Sequence, residues 1–287
     1  MASGRSRIPD DDLNANLPSY WGKVEEHREV LSANEAILAE LVKSPLLQGI
    51  SKPTLLHADL HMRNIFVSDN EPTKITALID WQATAVEPAF MYANRTPDLA
   101  TQPFESEDPD DYQDHSPPSQ QIKDAREKKK QDILLCHDAF EVCMKGFAPI
   151  VGTVRNIDET LLRPFRHCNT SWRDSAPAVR HELIELSERW NSLGLTGASP
   201  YIPSEEELRK HQKQYADFDT AQSLKVGLVQ RLCTDSDGWV SKNDWDVVKA
   251  AHDDMYGEWL ETAREVASDD GSISEAKAKE LWPFDKA

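Results

Sequence analysis

The chain has 287 residues, a length that fits about two domains or one large one. Hydrophobic residues make up 39% and charged residues 29%, with eight Trp, which excludes collagen-like, low-complexity and wholly disordered chains. Against 32 Lys and Arg stand 50 Asp and Glu, a formal net charge of −18 that repels a polyphosphate backbone and argues against nucleic acid as a main partner.

No run approaches the ~18 to 20 apolar residues of a membrane helix, so no membrane partner is expected. The N-terminus carries Asp10, Asp11 and Asp12 and has neither a signal-peptide apolar core nor an acid-poor transit pattern. The expected location is intracellular, cytoplasmic by default. Residues 1–18 are polar and proline-bounded and read as a flexible arm. Over 20–47 the apolar residues Trp21, Val24, Leu31, Leu38, Leu41 and Val42 recur as an amphipathic helix pair would place them. The period then changes. Short apolar runs at 54–56 and 65–67, and alternation through Ile75, Ala77 and Ile79, predict strands. Turn residues fill 68–74, so a β-hairpin is expected over about 64–80.

Residues 103–119 hold six Asp and Glu, four Pro and hardly an apolar side chain, and read as a disordered acidic insertion. Beyond it the pattern is helical, over 122–147 and 159–167. Next comes a stripe through Val179, Leu183, Leu186, Trp190 and Leu193, with Gly194 as its C-cap. Ser204 with Glu207 predicts a capping box. Cys136, Cys143, Cys168 and Cys233 form no C-x-x-C pair and read as reduced, mostly packing residues. With no internal repeat and no linker, 19–287 reads as one domain, α+β and mainly α.

Chemistry concentrates in His57-Ala58-Asp59-Leu60-His61-Met62-Arg63-Asn64, which fits the kinase catalytic-loop pattern H-x-D-L-x-x-x-N, followed by an apolar strand. Phosphoryl transfer needs a carboxylate beside the attacking hydroxyl, plus an oxygen ligand and a second carboxylate to hold magnesium. Asp59, Asn64 and Asp80 are those three groups. An antiparallel hairpin should return Asp80 to the mouth of the loop.

The loop, with Ile79-Asp80-Trp81, resembles the aminoglycoside phosphotransferase family of the protein-kinase-like superfamily. That family reads H-G-D-L-H-x-x-N-I and I-D-W at these places. Glu87-Pro88-Ala89-Phe90, Pro97-Asp98-Leu99-Ala100, Asp237-Gly238-Trp239-Val240 and Trp282-Pro283-Phe284-Asp285 resemble a fungal branch of it, the altered inheritance of mitochondria nine group. The resemblance runs from about residue 20 to the end. It implies a protein-kinase-like C-lobe, ATP and Mg2+ as cofactors, and a small-molecule hydroxyl acceptor. Asp59 becomes catalytic base or hydroxyl-orienting residue, and Asn64 and Asp80 magnesium ligands. His57 and Asp98 brace the loop, His61 stays open between loop bracing by a hydrogen bond, the favoured reading, and catalysis, and Trp81 packs as core under the metal carboxylate. A mitochondrial location is implied for full-length relatives.

Two departures stand out. Ala58 replaces the family glycine, and Met62-Arg63 replace a common Pro-Gly, which reduces the φ > 0 freedom of the loop. The family also places a nucleotide-gripping N-lobe ahead of the loop. Here 58 residues precede Asp59. Their glycines are Gly4, Gly22 and Gly49, and their lysines, Lys23, Lys43 and Lys52, sit in helical or proline-bounded context. The expectation is a C-lobe without its N-lobe, inactive alone and completed by an N-lobe or partner chain. The alternative is a pseudokinase that binds or scaffolds a partner. A zinc-hydrolase reading of His57-x-Asp59-x-His61 is disfavoured by the downstream Asn64 and Asp80. A calcium loop around Gly238 is disfavoured by Cys233 and Asp244 at ligand positions.

Overall fold

The computed structural model describes residues 18–57, 59–82, 84–92, 96–101, 120–168, 170–234, 238–269 and 273–284. Of the predicted arm over 1–18 all but Pro18 lies outside them, as do Ala58, the acidic insertion over 103–119, and Asp235 to Asp237 of the Gly238 loop. The chain divides into two units: residues 1–40 with 163–287, and residues 41–162.

The first unit is helical: α1 (Val24–Leu41, up to Glu40), α5 (Arg163–His167), α6 (Ser171–Asp174), α7 (Ala176–Glu188), α8 (Glu205–Leu232), α9 (Trp245–Asp269) and α10 (Glu275–Leu281). Val179, Leu183 and Leu186, the predicted stripe of α7, are fully buried, as 3.6-residue periodicity requires of a core-facing helix. The helix itself ends at Glu188, five residues before the stripe does. Trp190 stays buried from the turn that follows, and Gly194, at φ 76°, closes that turn. Ser204 and Glu207 form the predicted capping box of α8. Tyr20, Ala221 and Leu281 make one buried cluster, and Leu228, Leu232 and Trp282 another. Gly22 is required where it stands. Its φ is +90°, and a Cβ there would come within 2.7 Å of the Ala176 Cβ.

The second unit carries the strands. It holds α2 (Pro45–Gly49), β1 (Pro53–Leu55), β2 (Ile65–Val67), β3 (Ile75–Leu78), β4 (Val86–Pro88), α3 (Gln120–Phe147) and α4 (Pro149–Arg155). The predicted hairpin is β2–β3, antiparallel, with Ile65 opposite Leu78, Phe66 opposite Ala77, and a register shift after Phe66. Ser68 N–H donates to Lys74 O (2.9 Å) and closes the turn. Its apolar side chains do not divide into buried and open faces; Phe66, Ile75 and Leu78 are all exposed. Pairing and turn chemistry hold this hairpin.

A second pair, β1–β4, was not visible in the sequence. Pro53 faces Pro88 across it, and because proline donates no ladder bond the pairing is confined to a short, edge-like ribbon. Ala89 N–H to Lys52 O (3.0 Å) extends it by one bond. Buried residues of this unit include Leu47, Ile50, Phe90, Tyr92, Val151 and Val154.

The cysteine reading is corrected. Cys136, Cys143 and Cys233 are exposed, and Cys168 is partly buried. The inward face of α3 is taken instead by partly buried residues between them. There His137 Nδ1 donates to Ala100 O (2.9 Å), and Phe140 lies under Arg155. Among the described residues no helix is long and apolar enough to cross a membrane.

Candidate active site

All the candidate residues belong to the second unit. The chain leaves β1 at Leu55, runs through His57 and Asp59, and tightens into a 3-10 turn, Met62–Asn64, that delivers it directly into β2. His61 is the N-cap of that turn, and its carbonyl accepts the Asn64 N–H (2.9 Å). Positive φ among the described non-glycine residues occurs at Asp80, Ser175 and Cys233, so Met62 and Arg63 fill the family's Pro-Gly place without needing glycine's freedom.

Asn64 is 5% exposed and ties three pieces of chain together. Its Nδ2 donates to Asp59 O (2.9 Å), and its own carbonyl accepts the Ile79 N–H (3.1 Å). That last bond continues the β2–β3 register one step and sets Asp80 beside the end of the loop, as the antiparallel argument expected. His57 binds backbone on both ring nitrogens. Nδ1 accepts the Asp59 N–H (3.2 Å) and Nε2 donates to Ile79 O (2.8 Å). A carbonyl can only accept, so the proton sits on Nε2. His61 Nε2 lies 2.5 Å from Asp59 Oδ1.

Asp80 has φ 65°, the left-handed region that costs an L-residue about 1 kcal/mol or more and that Asp tolerates better than most. Backbone strain of this kind collects at functional sites, where surrounding structure enforces it. Trp81 is corrected from a core residue to a surface one: it is 45% exposed. Its ring leans on His57, with centroids 4.6 Å apart, and its Nε1–H donates to Leu78 O (3.0 Å). These contacts hold it along the hairpin end rather than in an interior. Asp98 opens a 3-10 turn, Asp98–Ala100, against α3; its side chain lies outside what the structure describes.

The donor set suits magnesium. Asn64 Nδ2 is given to Asp59 O, which leaves an amide oxygen as the donor that Asn64 would offer a hard cation, and Asp80 would offer a carboxylate. Among the described residues no group of three or more His, Cys, Asp or Glu could hold a metal. Mg2+ is commonly held by one or two carboxylates with substrate phosphates and water, and protein kinases use an Asp with an Asn.

Two buried histidines in the first unit went unnoticed in the sequence. Burial presses His27 down to about 4, opposed by the Trp21 carbonyl (3.1 Å) and the Glu26 carboxylate. Burial, then the His181 and Arg180 charges, hold His211 at about 4. Beside them burial alone would raise Glu26, but hydrogen bonds from Lys210, the Lys23 N–H and Gln214 hold it at about 2. Neither histidine falls in a motif, and only the fold shows their burial.

Residues 4–91 match the phosphotransferase enzyme family. The matched span takes in His57, Asp59, His61, Asn64 and Asp80, stops before Asp98, and is less than a third of the chain. No curated protein and no solved structure matches. Over the stretch that builds the loop and hairpin the chain is thus similar to kinase-like phosphotransferases, and the match supports the aminoglycoside phosphotransferase family.

Proposed function

We propose that the chain carries the base and metal-binding half of a Mg2+- and ATP-dependent phosphotransferase acting on a small-molecule hydroxyl. One observation supports the reading: Asn64 Nδ2 donates to the Asp59 carbonyl and the Asn64 carbonyl accepts the Ile79 N–H, so the backbones that carry Asp59, Asn64 and Asp80 meet at one end of one hairpin. In this reading the acceptor oxygen attacks the γ-phosphorus, the bond to the β–γ bridging oxygen breaks, ADP leaves, and the hydroxyl proton passes to Asp59. Asn64 and Asp80 hold the ion, which neutralises charge on the phosphates.

The stretch ahead of the loop is α1, α2 and β1. These described elements present no glycine-rich cover, and we assign the cover over the nucleotide phosphates to an N-lobe or partner chain. The alternative, a pseudokinase with a binding or scaffold role, rests on the same stretch. Membership of the fungal branch belongs to this proposal on the strength of the motifs from Glu87 onward, with a cytoplasmic place of action for this chain by default and a mitochondrial one for full-length relatives. The test is radiolabelled phosphate transfer from ATP across a panel of hydroxyl-bearing metabolites, with and without a family N-lobe supplied in trans. The reading expects Mg2+-dependent transfer when the lobe is present, abolished by Asp80→Ala. Transfer unaffected by Asp80→Ala, or none to any acceptor with the lobe present, would refute it.

A further inference from the structure

We infer that His61 is a positioning residue for the Asp59 side chain. Its Nε2–H holds carboxylate oxygen Oδ1 and so turns the other oxygen, Oδ2, to the acceptor hydroxyl. The inference rests on the reading of Asp59 as proton acceptor.

The backbone of Asp59 is fully engaged. Its N–H goes to His57 Nδ1, and its carbonyl accepts both Asn64 Nδ2 (2.9 Å) and the His61 N–H (3.1 Å). What remains free to turn is the side chain, 49% exposed and bearing two chemically equivalent oxygens. A carboxylate that open exchanges its oxygens by rotation about χ2 unless a donor pins one of them. His61 is that donor, 2.5 Å from Oδ1. Its own backbone is fixed at both ends, by the bond to Asp59 O and by the Asn64 N–H on its carbonyl.

The two histidines of the motif therefore divide the work. His57 touches backbone on both sides, Asp59 N–H and Ile79 O, and shapes the loop. His61 Nε2 spends its bond on the carboxylate itself. A carboxylate only accepts, so a neutral His61 carries its proton on Nε2, which is a tautomer that can be observed. A charge-assisted bond of this kind is shorter and stronger than a neutral one, and it holds a direction as well as a distance.

The test uses the full chain and has two readouts. Long-range proton–nitrogen NMR, with His61 assigned through His61→Gln, should show His61 in the Nε2–H form, and Asp59→Ala should return it to a mixed tautomer. The same spectrum for both proteins would overturn the inference. Under conditions that give the chain measurable phosphoryl transfer, His61→Ala should lower kcat about 10²-fold with the acceptor KM within about twofold, the loss expected when a reacting group is misplaced. His61→Gln, which keeps an N–H donor, should recover most of it. An unchanged kcat in His61→Ala, or a Gln variant as impaired as the Ala variant with both folded by circular dichroism, would overturn the positioning role. If the chain transfers no phosphate under any condition, the proposed function fails, and the NMR comparison still decides the His61 contact.

Discussion

Lowering the pH from 7 to 4.5 should remove about 5 kcal/mol of stability from the helical unit, through His27 and His211. Both are buried, and each is pressed from the ordinary value of 6.5 to about 4. Between those values the unfolded chain holds a proton on each ring and the folded chain does not. Protons therefore bind the unfolded state preferentially, and stability rises with pH across the window. The contribution is complete above about 6.5 and is lost as pH falls toward 4. At pH 4.5 two pH units below the unfolded value amount to about 2.5 kcal/mol per ring.

Glu26 acts lower. Held at about 2 when folded, it contributes stability above 4.5 that is lost only as pH falls below that. The limb from 6.5 to 4.5 thus belongs to the histidines. Urea melts followed by helical circular dichroism measure the loss. The fluorescence of Trp172, whose ring lies 4.7 Å from that of His27, reports locally. His211→Leu removes one titrating group, so it should halve the slope of stability against pH whatever it does to absolute stability. A melting midpoint flat from pH 7 to 4.5, or a slope untouched by His211→Leu, would refute the argument.

Asp80→Gly should separate fold from chemistry. Glycine relieves the φ of 65°, so stability should hold or rise by up to about 1 kcal/mol while Mg2+-dependent nucleotide binding is lost; a large fall in the thermal midpoint would contradict it. Thiol titration of the native protein should find Cys136, Cys143 and Cys233 fast and Cys168 slow, since burial pushes the Cys168 thiol up; equal rates would oppose this. Leu183→Ala, at a fully buried position of α7, should cost about 2 to 5 kcal/mol in denaturant melts.

The backbone path of the loop and hairpin was more legible in the sequence than the packing around it. The spacing of His57, Asp59, Asn64 and Asp80 is local, and a single hairpin brings its ends together, so its geometry followed from strand alternation and one turn. The backbone role of His57 was legible only through the family resemblance; its ring nitrogens lie on the Asp59 N–H and the Ile79 carbonyl. Less could be read where long-range partners decide. β4 carries Pro88 and lacks alternation, so its pairing with β1 depends on a contact that no local pattern encodes. The cysteines of α3 share one helical face as expected, but which face turns inward is set by Ala100 and Arg155, not by hydrophobicity. The left-handed Asp80 left no trace, since Asp in place of Gly gives no signal of positive φ.

The most direct test of the account is calorimetric titration of ATP into the full chain with a family N-lobe supplied in trans, with and without Mg2+, in the parent and in Asn64→Ala, Asp80→Ala and Asp59→Asn. The account predicts binding that requires Mg2+ and weakens about tenfold or more, roughly 1.4 kcal/mol, in the Asn64 and Asp80 variants while Asp59→Asn binds as the parent does. ATP affinity indifferent to Mg2+, or unchanged by Asp80→Ala, would contradict it.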